Sequence, residues 1–127
     1  MRFPEELRYS TEHEWIATDD GRARVGITDY AQDALGDVVY VELPALGLAV
    51  IAGASCAEVE STKSVSEIYA PVSGVVAEVN EQLVDEPELV NRDPYGAGWI
   101  FVVELADAAE VDSLLDAAAY QSLIEEE

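Results

Sequence analysis

Short runs of β-branched and aromatic residues, each closed by glycine or proline, constrain the fold of this chain more than any other feature. One such run, residues 38–43, ends at Pro44, and Asp19-Asp20-Gly21 separates two others in a pattern typical of a β-hairpin. Many short strands with turns of this kind indicate a mainly β fold, an antiparallel sandwich or barrel. Strands are expected at residues 15–17, 23–27, 38–43, 56–59, 65–69, 75–79 and 99–105.

Two parts of the chain predict helices instead. Thr28 can cap a short helix over residues 29–35 that ends at Gly36. The second helical segment is expected over about 107–124, where Asp107 and Glu110 have the spacing of a capping box and Asp116 can cap a second helix. Its apolar side chains are Val111, Leu114, Leu115, Ala118, Tyr120, Leu123 and Ile124. Since no long linker interrupts the 127 residues, residues 1–127 are expected to form a single domain.

The charge of the chain excludes several kinds of partner. Twenty-seven acidic residues against six basic ones give a formal net charge of −21. Such a surface repels nucleic-acid phosphates and anionic membranes, and no apolar run approaches the roughly 20 residues that span a bilayer. We expect a cytoplasmic protein, because no targeting segment is evident and the single cysteine, Cys56, cannot form an intramolecular disulfide. We also expect a high-salt cytoplasm, since about 1 M salt screens this self-repulsion; an ordinary acidic protein is the alternative.

Only one of the six basic residues is a lysine, Lys63. Lysine is usually among the commonest residues, and its amine, unlike the arginine guanidinium, can lose a proton and be acylated. A chain with one remaining lysine suggests a task that arginine cannot perform, although chance survival explains the count equally well. Small polar residues surround Lys63 between Val59 and Val65, which predicts a hairpin over about 58–68 with the lysine at or beside its tip.

The residues near Lys63 favour a lysine offered outward for modification over a Schiff-base enzyme. Catalytic lysines are activated by an apolar pocket or a neighbouring cation, and neither is evident in this segment. The only histidine, His13, cannot form a Ser-His-Asp triad or a His-rich metal site, so no metal is expected. His13 is instead expected to order the first strand beside Trp15, and Cys56 to fill a small space in the core.

The segment around Lys63 resembles the modification hairpin of lipoyl-bearing domains. It runs Glu60-Ser61-Thr62-Lys63-Ser64-Val65-Ser66, followed by Tyr69-Ala70-Pro71-Val72-Ser73-Gly74 and Val76. Flanking segments, in their joint order from about Tyr9 to Tyr120, narrow the resemblance to the glycine cleavage H-protein family. They are His13-Glu14-Trp15, Val25-Gly26-Ile27-Thr28-Asp29-Tyr30-Ala31-Gln32, Leu35-Gly36-Asp37-Val38, Val41-Glu42-Leu43-Pro44, Pro87-Glu88-Leu89-Val90-Asn91 and Asp93-Pro94-Tyr95-Gly96-Ala97-Gly98-Trp99.

This resemblance implies a lipoyl-domain-like barrel-sandwich hybrid and a non-catalytic carrier with lipoate attached as (R)-lipoyl-lysine at Lys63. Such carriers take an aminomethyl group from a PLP-dependent glycine decarboxylase to a tetrahydrofolate-dependent aminomethyltransferase. Dihydrolipoamide dehydrogenase then reoxidises the arm, and a lipoate ligase or a lipoyl or octanoyl transferase attaches it. The cofactor supplies the chemistry, and the protein presents and protects it.

A loaded arm that folds back onto the domain would be protected from water. Glu14 and Glu67 are the acids expected near that resting arm, and ordinary solvated carboxylates are the alternative. The chain also departs from the family pattern. It has Ala97 where many members carry an acid and Ala34 where some carry a polar or basic residue, so neither position can supply a polar contact.

Two other functions stay open from the sequence, and a third is disfavoured. A stand-alone lipoyl carrier that serves another lipoate-dependent complex or a lipoate relay would look the same. A biotinyl carrier is disfavoured because Thr62 and Ser64 flank the lysine, where such carriers usually have methionines. A purely structural β-domain for protein interaction would tolerate the substitution Lys63→Arg without loss of function.

Overall fold

The hairpin predicted at Asp19-Asp20-Gly21 is present in the structure, a computed structural model that describes residues 1–126. Asp20 and Gly21 have φ angles of +50° and +79°, as a two-residue hairpin turn with both central residues in the left-handed region requires. The predicted first helix is also present: the Thr28 hydroxyl accepts a hydrogen bond from the Ala31 amide at 3.2 Å, and Gly36 follows the last turn.

Residues 1–126 fold into short strands with a few short helices between and after them. The strands are β1 (Arg8–Tyr9), β2 (Glu14–Asp19), β3 (Arg22–Ile27), β4 (Val38–Glu42), β5 (Ala49–Val50), β6 (Ser55–Ser61), β7 (Val65–Tyr69), β8 (Gly74–Val79) and β9 (Phe101–Leu105). The helices are α1 (Asp29–Leu35), α2 (Gln82–Asp85), α3 (Leu89–Arg92) and α4 (Ala117–Glu125), with a 3-10 helix over Ala108–Ser113.

The strands of residues 1–126 form two antiparallel sheets. One has the order β1-β2-β3-β9-β8-β5, and the other, smaller sheet has the order β4-β6-β7. The apolar faces of both sheets meet in one core, where Val25, Val59, Ile68 and Phe101 are at most 1 % exposed. The mainly β architecture expected from the sequence is therefore confirmed, and the small sheet carries the lysine hairpin at one side of the core.

A second cluster of buried side chains attaches the C-terminal helix to the large sheet. The rings of Tyr9 and Tyr120 are stacked with 4.8 Å between centroids, and Trp15 donates its indole N–H to the Pro94 carbonyl at 2.9 Å. Asp116 caps α4 by accepting the Ala119 amide at 2.8 Å, as the sequence predicts. Helix α4 is thereby fixed against the β1–β2 edge of the large sheet.

The capping box expected at Asp107 and Glu110 is wrong. The Asp107 carboxylate does cap the 3-10 helix, but Glu110 bonds to the amide and hydroxyl of Ser73, at 2.8 and 3.2 Å, and not to the amide of Asp107. The helical spacing of Leu115 is also misleading, because Leu115 exchanges two 2.8 Å backbone hydrogen bonds with Tyr9 in an antiparallel bridge. An extended backbone at Leu115 separates the 3-10 helix from α4, and Ala118 is exposed where Ala117 is buried.

The sequence patterns missed the shortest elements. β1 and β5 have two residues each and α2 and α3 have four, which is too short for any hydrophobic period to appear. The last strand begins at Phe101 and not at Trp99, because the Trp99 amide closes a turn by donating to the Gly96 carbonyl at 3.1 Å. Within residues 1–126, no helix is both long enough and apolar enough to cross a membrane.

Candidate functional site: the Lys63 hairpin and its cleft

Lys63 lies at the tip of the hairpin formed by β6 and β7, with its side chain exposed. The Ser61 hydroxyl oxygen accepts the amides of Lys63 and Ser64, each at 3.1 Å, and Ser61 donates its own amide to the Ser64 carbonyl at 2.8 Å. Ser61 is itself buried, so the backbone of the tip is fixed from below. The lysine is therefore presented outward on a firm turn.

The tip is also attached to the neighbouring segment of the chain. The Thr62 amide donates to the Asp37 carbonyl at 3.1 Å, which joins the turn to the residues between α1 and β4. On the other side of that junction, Asn91 of α3 donates to the Gly36 carbonyl at 2.9 Å and accepts the Val38 amide at 2.8 Å. The hairpin tip, the end of α1 and the start of β4 form one hydrogen-bonded unit.

A cleft of about 350 Å³ begins beside the lysine and runs between α1 and β7. Its walls are mostly apolar near Leu35 and Val59 and become polar at the far end, near Glu14. Along β7 it extends from Ser64 to Ile68, about 13 Å at 3.3 Å per residue. A volume of this size lies within the ordinary range for small-molecule sites, and the shape suits a narrow chain with a polar end.

Glu14 closes the inner end of the cleft and is 1 % exposed. Its carboxylate accepts the Ser10 hydroxyl at 2.5 Å and the Tyr69 amide at 3.2 Å. Burial, with a smaller contribution from the charge of Glu12, raises the pKa of this carboxyl to about 7, although the two hydrogen bonds act in the opposite direction. Near neutrality, Glu14 can therefore either hold or release a proton at the end of the cleft.

Glu67 also lines the cleft but lies exposed on its rim, where it accepts a hydrogen bond from the Tyr69 hydroxyl at 3.2 Å. The antiparallel register places Glu42, Glu58 and Glu67 side by side across the outer face of the small sheet. A hydrogen bond with the Glu42 carboxyl, and then burial and the charges of Glu42, Glu67 and Glu60, raise the pKa of Glu58. The structure thus brings both predicted acids to the cleft, one buried and one on the rim.

His13, which was expected to order the first strand beside Trp15, lies in the turn directly before that strand. It has a φ of +71° in the turn before β2, and its Nδ1 lies 2.8 Å from the Tyr120 hydroxyl, which lies 2.7 Å from the Thr28 hydroxyl. These contacts join the inner end of the cleft, the N-terminus of α1 and the buried face of α4. Positions 13 and 120 are too far apart in sequence for a local pattern to indicate this.

Sequence reasoning missed Asn91 and Gly36 as parts of the site. The sequence patterns indicate Gly36 only as the end of α1 and as a member of a family segment. Asn91 occurs only in a family segment, directly after two apolar residues, Leu89 and Val90, that pack in the core. A polar amide directly after buried residues was the available signal, because such a group needs hydrogen-bond partners. Of the two departures from the family pattern, Ala34 lies in the cleft lining, and Ala97 is exposed and forms only backbone hydrogen bonds.

Comparisons with known proteins agree with one another. Residues 7–127 match the family model described as glycine cleavage H-protein. The chain is 62 % identical over 121 residues to a glycine cleavage system H protein of Micrococcus luteus, covering 94 % of each chain. It is 55 % identical over 125 residues to one of Escherichia coli, covering 98 % of this chain and 97 % of that one.

A solved structure is similar over almost the whole length. The crystal structure of a glycine cleavage system H protein from Mycobacterium marinum superposes with a TM-score of 0.89 at 47 % identity, covering 97 % of this chain and 99 % of the other. A match of this extent, with the sheet order and the lysine hairpin described above, is specific to one family. This chain belongs to the glycine cleavage H-protein family.

Proposed function

We propose that this chain is the lipoyl-lysine carrier of a glycine cleavage system, and that lipoate is attached to Lys63. The observation that carries the proposal is that the only lysine of the sequence stands exposed at the tip of a hydrogen-bonded hairpin, beside an elongated cleft. When bound, lipoate would supply a disulfide that accepts the aminomethyl group. After that group has been passed on, the arm would be left as a dithiol that needs reoxidation. The protein itself contributes presentation and shelter.

The residues of the cleft fit such an arm. An aliphatic chain can pack between α1 and β7 against Leu35, Val59 and the Ala34 methyl group. Glu14 then lies where the polar end of the arm would rest. Because a nearby cation favours the charged form of a carboxyl, an amine at that end would lower the pKa of Glu14 from about 7 and form an ion pair away from water.

The partners follow from the carrier role. A glycine cleavage system implies a decarboxylase, an aminomethyltransferase and a dehydrogenase, each of which must receive the same arm in turn. A hairpin whose backbone is fixed and whose lysine side chain is exposed lets the arm reach three different active sites without rearrangement of the domain. The enzyme that attaches lipoate must recognise the same tip.

The test is intact-mass analysis of protein from its native host, with peptide mapping at Lys63, followed by a reconstituted glycine decarboxylation assay. Lys63→Arg should abolish lipoylation and carrier activity completely, since arginine cannot form the amide. The matched control is Lys63→Arg combined with Arg22→Lys, which keeps one lysine but places it next to the other hairpin turn. This double variant should also remain unmodified.

Two results would contradict the proposal. Native protein that carries no lipoyl group yet supports glycine cleavage would remove the role of Lys63. Lipoylated protein that is inactive with glycine decarboxylase but active with another lipoate-dependent complex would favour the stand-alone carrier.

A further inference from the structure

The end of helix α1 has a backbone conformation that only glycine adopts readily. Gly36 has φ of +83° and ψ of −160°, in a region essentially restricted to glycine. A Cβ atom at this position would lie 3.1 Å from Cε of Lys63 and 3.7 Å from its Nζ. The aliphatic stem of the lysine therefore lies against the bare α-carbon of Gly36, so close that a Cβ atom at this position would make a tight contact with it.

The backbone on each side of this contact, at Gly36 and at the hairpin tip, is fixed by hydrogen bonds that do not involve the Lys63 side chain. The Asn91 amide donates to the Gly36 carbonyl at 2.9 Å and to the Gln32 side chain at 3.0 Å, which fixes the end of α1. The Thr62 amide donates to the Asp37 carbonyl at 3.1 Å, which fixes the hairpin tip relative to the same junction. The stem rests on a surface that is already in place before any modification.

The position of this contact gives it a consequence for the arm. Gly36 directly follows the helix that forms one wall of the cleft, and Lys63 directly precedes the residues of the other wall, which begins at Ser64. A stem lying over Gly36 therefore starts at the mouth of the cleft. A Cβ atom at position 36 would crowd the stem at this mouth, and Cε of Lys63 would have to shift by a few tenths of an ångström.

We infer that Gly36 is a positioning residue for the modified lysine: it seats the Lys63 stem and directs the arm into the cleft between α1 and β7. The effect on the arm rests on the proposed lipoylation of Lys63. The seat itself is a property of the unmodified chain and can be measured without the cofactor.

The sequence permits an unusually direct measurement, because a chain with one lysine gives a single Cε signal when lysine is labelled with carbon-13 at that position. In the native unmodified chain, the two Hε protons should be inequivalent and show an NOE to the Gly36 α-protons. Gly36→Ala should lose the inequivalence. The matched control is Gly47→Ala, since Gly47 has a similar φ of +82° but no atom within 4 Å of the place where a Cβ would lie. This variant should retain the inequivalent Hε protons and their NOE to the Gly36 α-protons.

The second measurement uses lipoylated protein loaded with the aminomethyl group. Gly36→Ala should release that group to water severalfold faster than the native carrier, whereas Gly47→Ala should release it at the native rate. Absence of the NOE in the native chain would overturn the inference even if Gly36→Ala failed to fold. Equal acceleration in both variants would overturn it as well, since the effect would then be general destabilisation. A native chain that is not lipoylated would refute the proposed function. The NOE would still show whether the Lys63 stem lies against Gly36.

Discussion

Two acidic regions beside β7 differ in burial and in what raises the pKa of their carboxyl groups. At the inner end of the cleft, Glu14 is 1 % exposed and accepts hydrogen bonds from Ser10 and Tyr69. On the outer face of the small sheet, Glu42, Glu58 and Glu67 lie side by side across three strands. The pKa of Glu14 is raised mainly by burial, whereas that of Glu58 is raised first by its hydrogen bond with the Glu42 carboxyl.

The comparison shows that the pKa of a glutamate in this protein can be raised by two causes that respond differently to salt. Desolvation acts on Glu14 regardless of ionic strength, because buried charges are screened much less by salt. Repulsion between neighbouring carboxylates on the outer face weakens as salt is added. Only the first environment is suited to hold an isolated cation out of water. The following predictions test or sharpen this contrast.

The largest expected effect is on the pH dependence of stability. The Glu14 carboxyl ionises near its ordinary 4.5 in the unfolded chain and near 7 in the folded one. Below pH 4.5 both states are protonated and there is no penalty, while above pH 7 both are ionised and the folded state contains a buried charge. The free energy of unfolding should therefore fall between these values by about 3 kcal/mol, at roughly 1.4 kcal/mol per pKa unit.

Glu14→Gln should remove that fall. Urea titrations of both proteins across this pH interval provide the measurement, and Glu67→Gln is the exposed control, expected to follow the native curve. Parallel curves for the native protein and Glu14→Gln would mean that Glu14 is not buried in solution.

Ser10→Ala should produce the next largest effect. It removes the hydroxyl that donates to Glu14 and that accepts the amides of Glu12 and Glu14 at 3.2 and 3.1 Å. Leaving buried polar groups without a partner should lower the free energy of unfolding by about 1–3 kcal/mol, and the pKa of Glu14 should rise further. Ser113→Ala, at an exposed serine, is the control and should change stability by less than about 0.5 kcal/mol in the same titration.

The third prediction concerns the loaded carrier and depends on the proposed function. Glu14→Gln should shorten the lifetime of the bound aminomethyl group severalfold, because the neutral amide cannot form an ion pair with a cationic amine. Glu67→Gln should have a smaller effect, since its rim carboxylate is already in water. Release of formaldehyde or ammonia over time measures the lifetime in both variants. Equal lifetimes would contradict the different roles assigned to Glu14 and Glu67.

The smallest effect is expected on the outer face. Glu58→Gln removes the central carboxylate of three, so the Tm should rise in dilute buffer and the gain should shrink at about 1 M salt, where the Debye length is roughly 3 Å. Glu5→Gln removes the same charge away from this sheet and is the control. The Tm of the native chain, with its net charge of −21, should itself rise with salt. A native Tm that does not respond to salt would contradict the high-salt hypothesis.

The sequence by itself determined the features that depend on neighbours within a few residues. The Asp20-Gly21 turn, helix α1 between Thr28 and Gly36 and the hairpin around Lys63 were all predicted, because turn chemistry, capping and strand alternation act over a few positions. The joint order of the family segments also identified the family. The turn, the helix and the hairpin depend on residues close together in sequence, so they can be predicted without knowing the rest of the fold.

Only the tertiary structure decided which distant groups meet. Leu115 is extended because it pairs with Tyr9. The Glu110 carboxylate accepts a hydrogen bond from Ser73 and does not cap its own helix. No local pattern could indicate either contact. The burial of Glu14, and hence its raised pKa, and the contact of Lys63 with Gly36 likewise arise from segments brought together by sheet formation. Desolvation and close approach depend on the surroundings of a residue in space, and those surroundings exist only after the chain has packed.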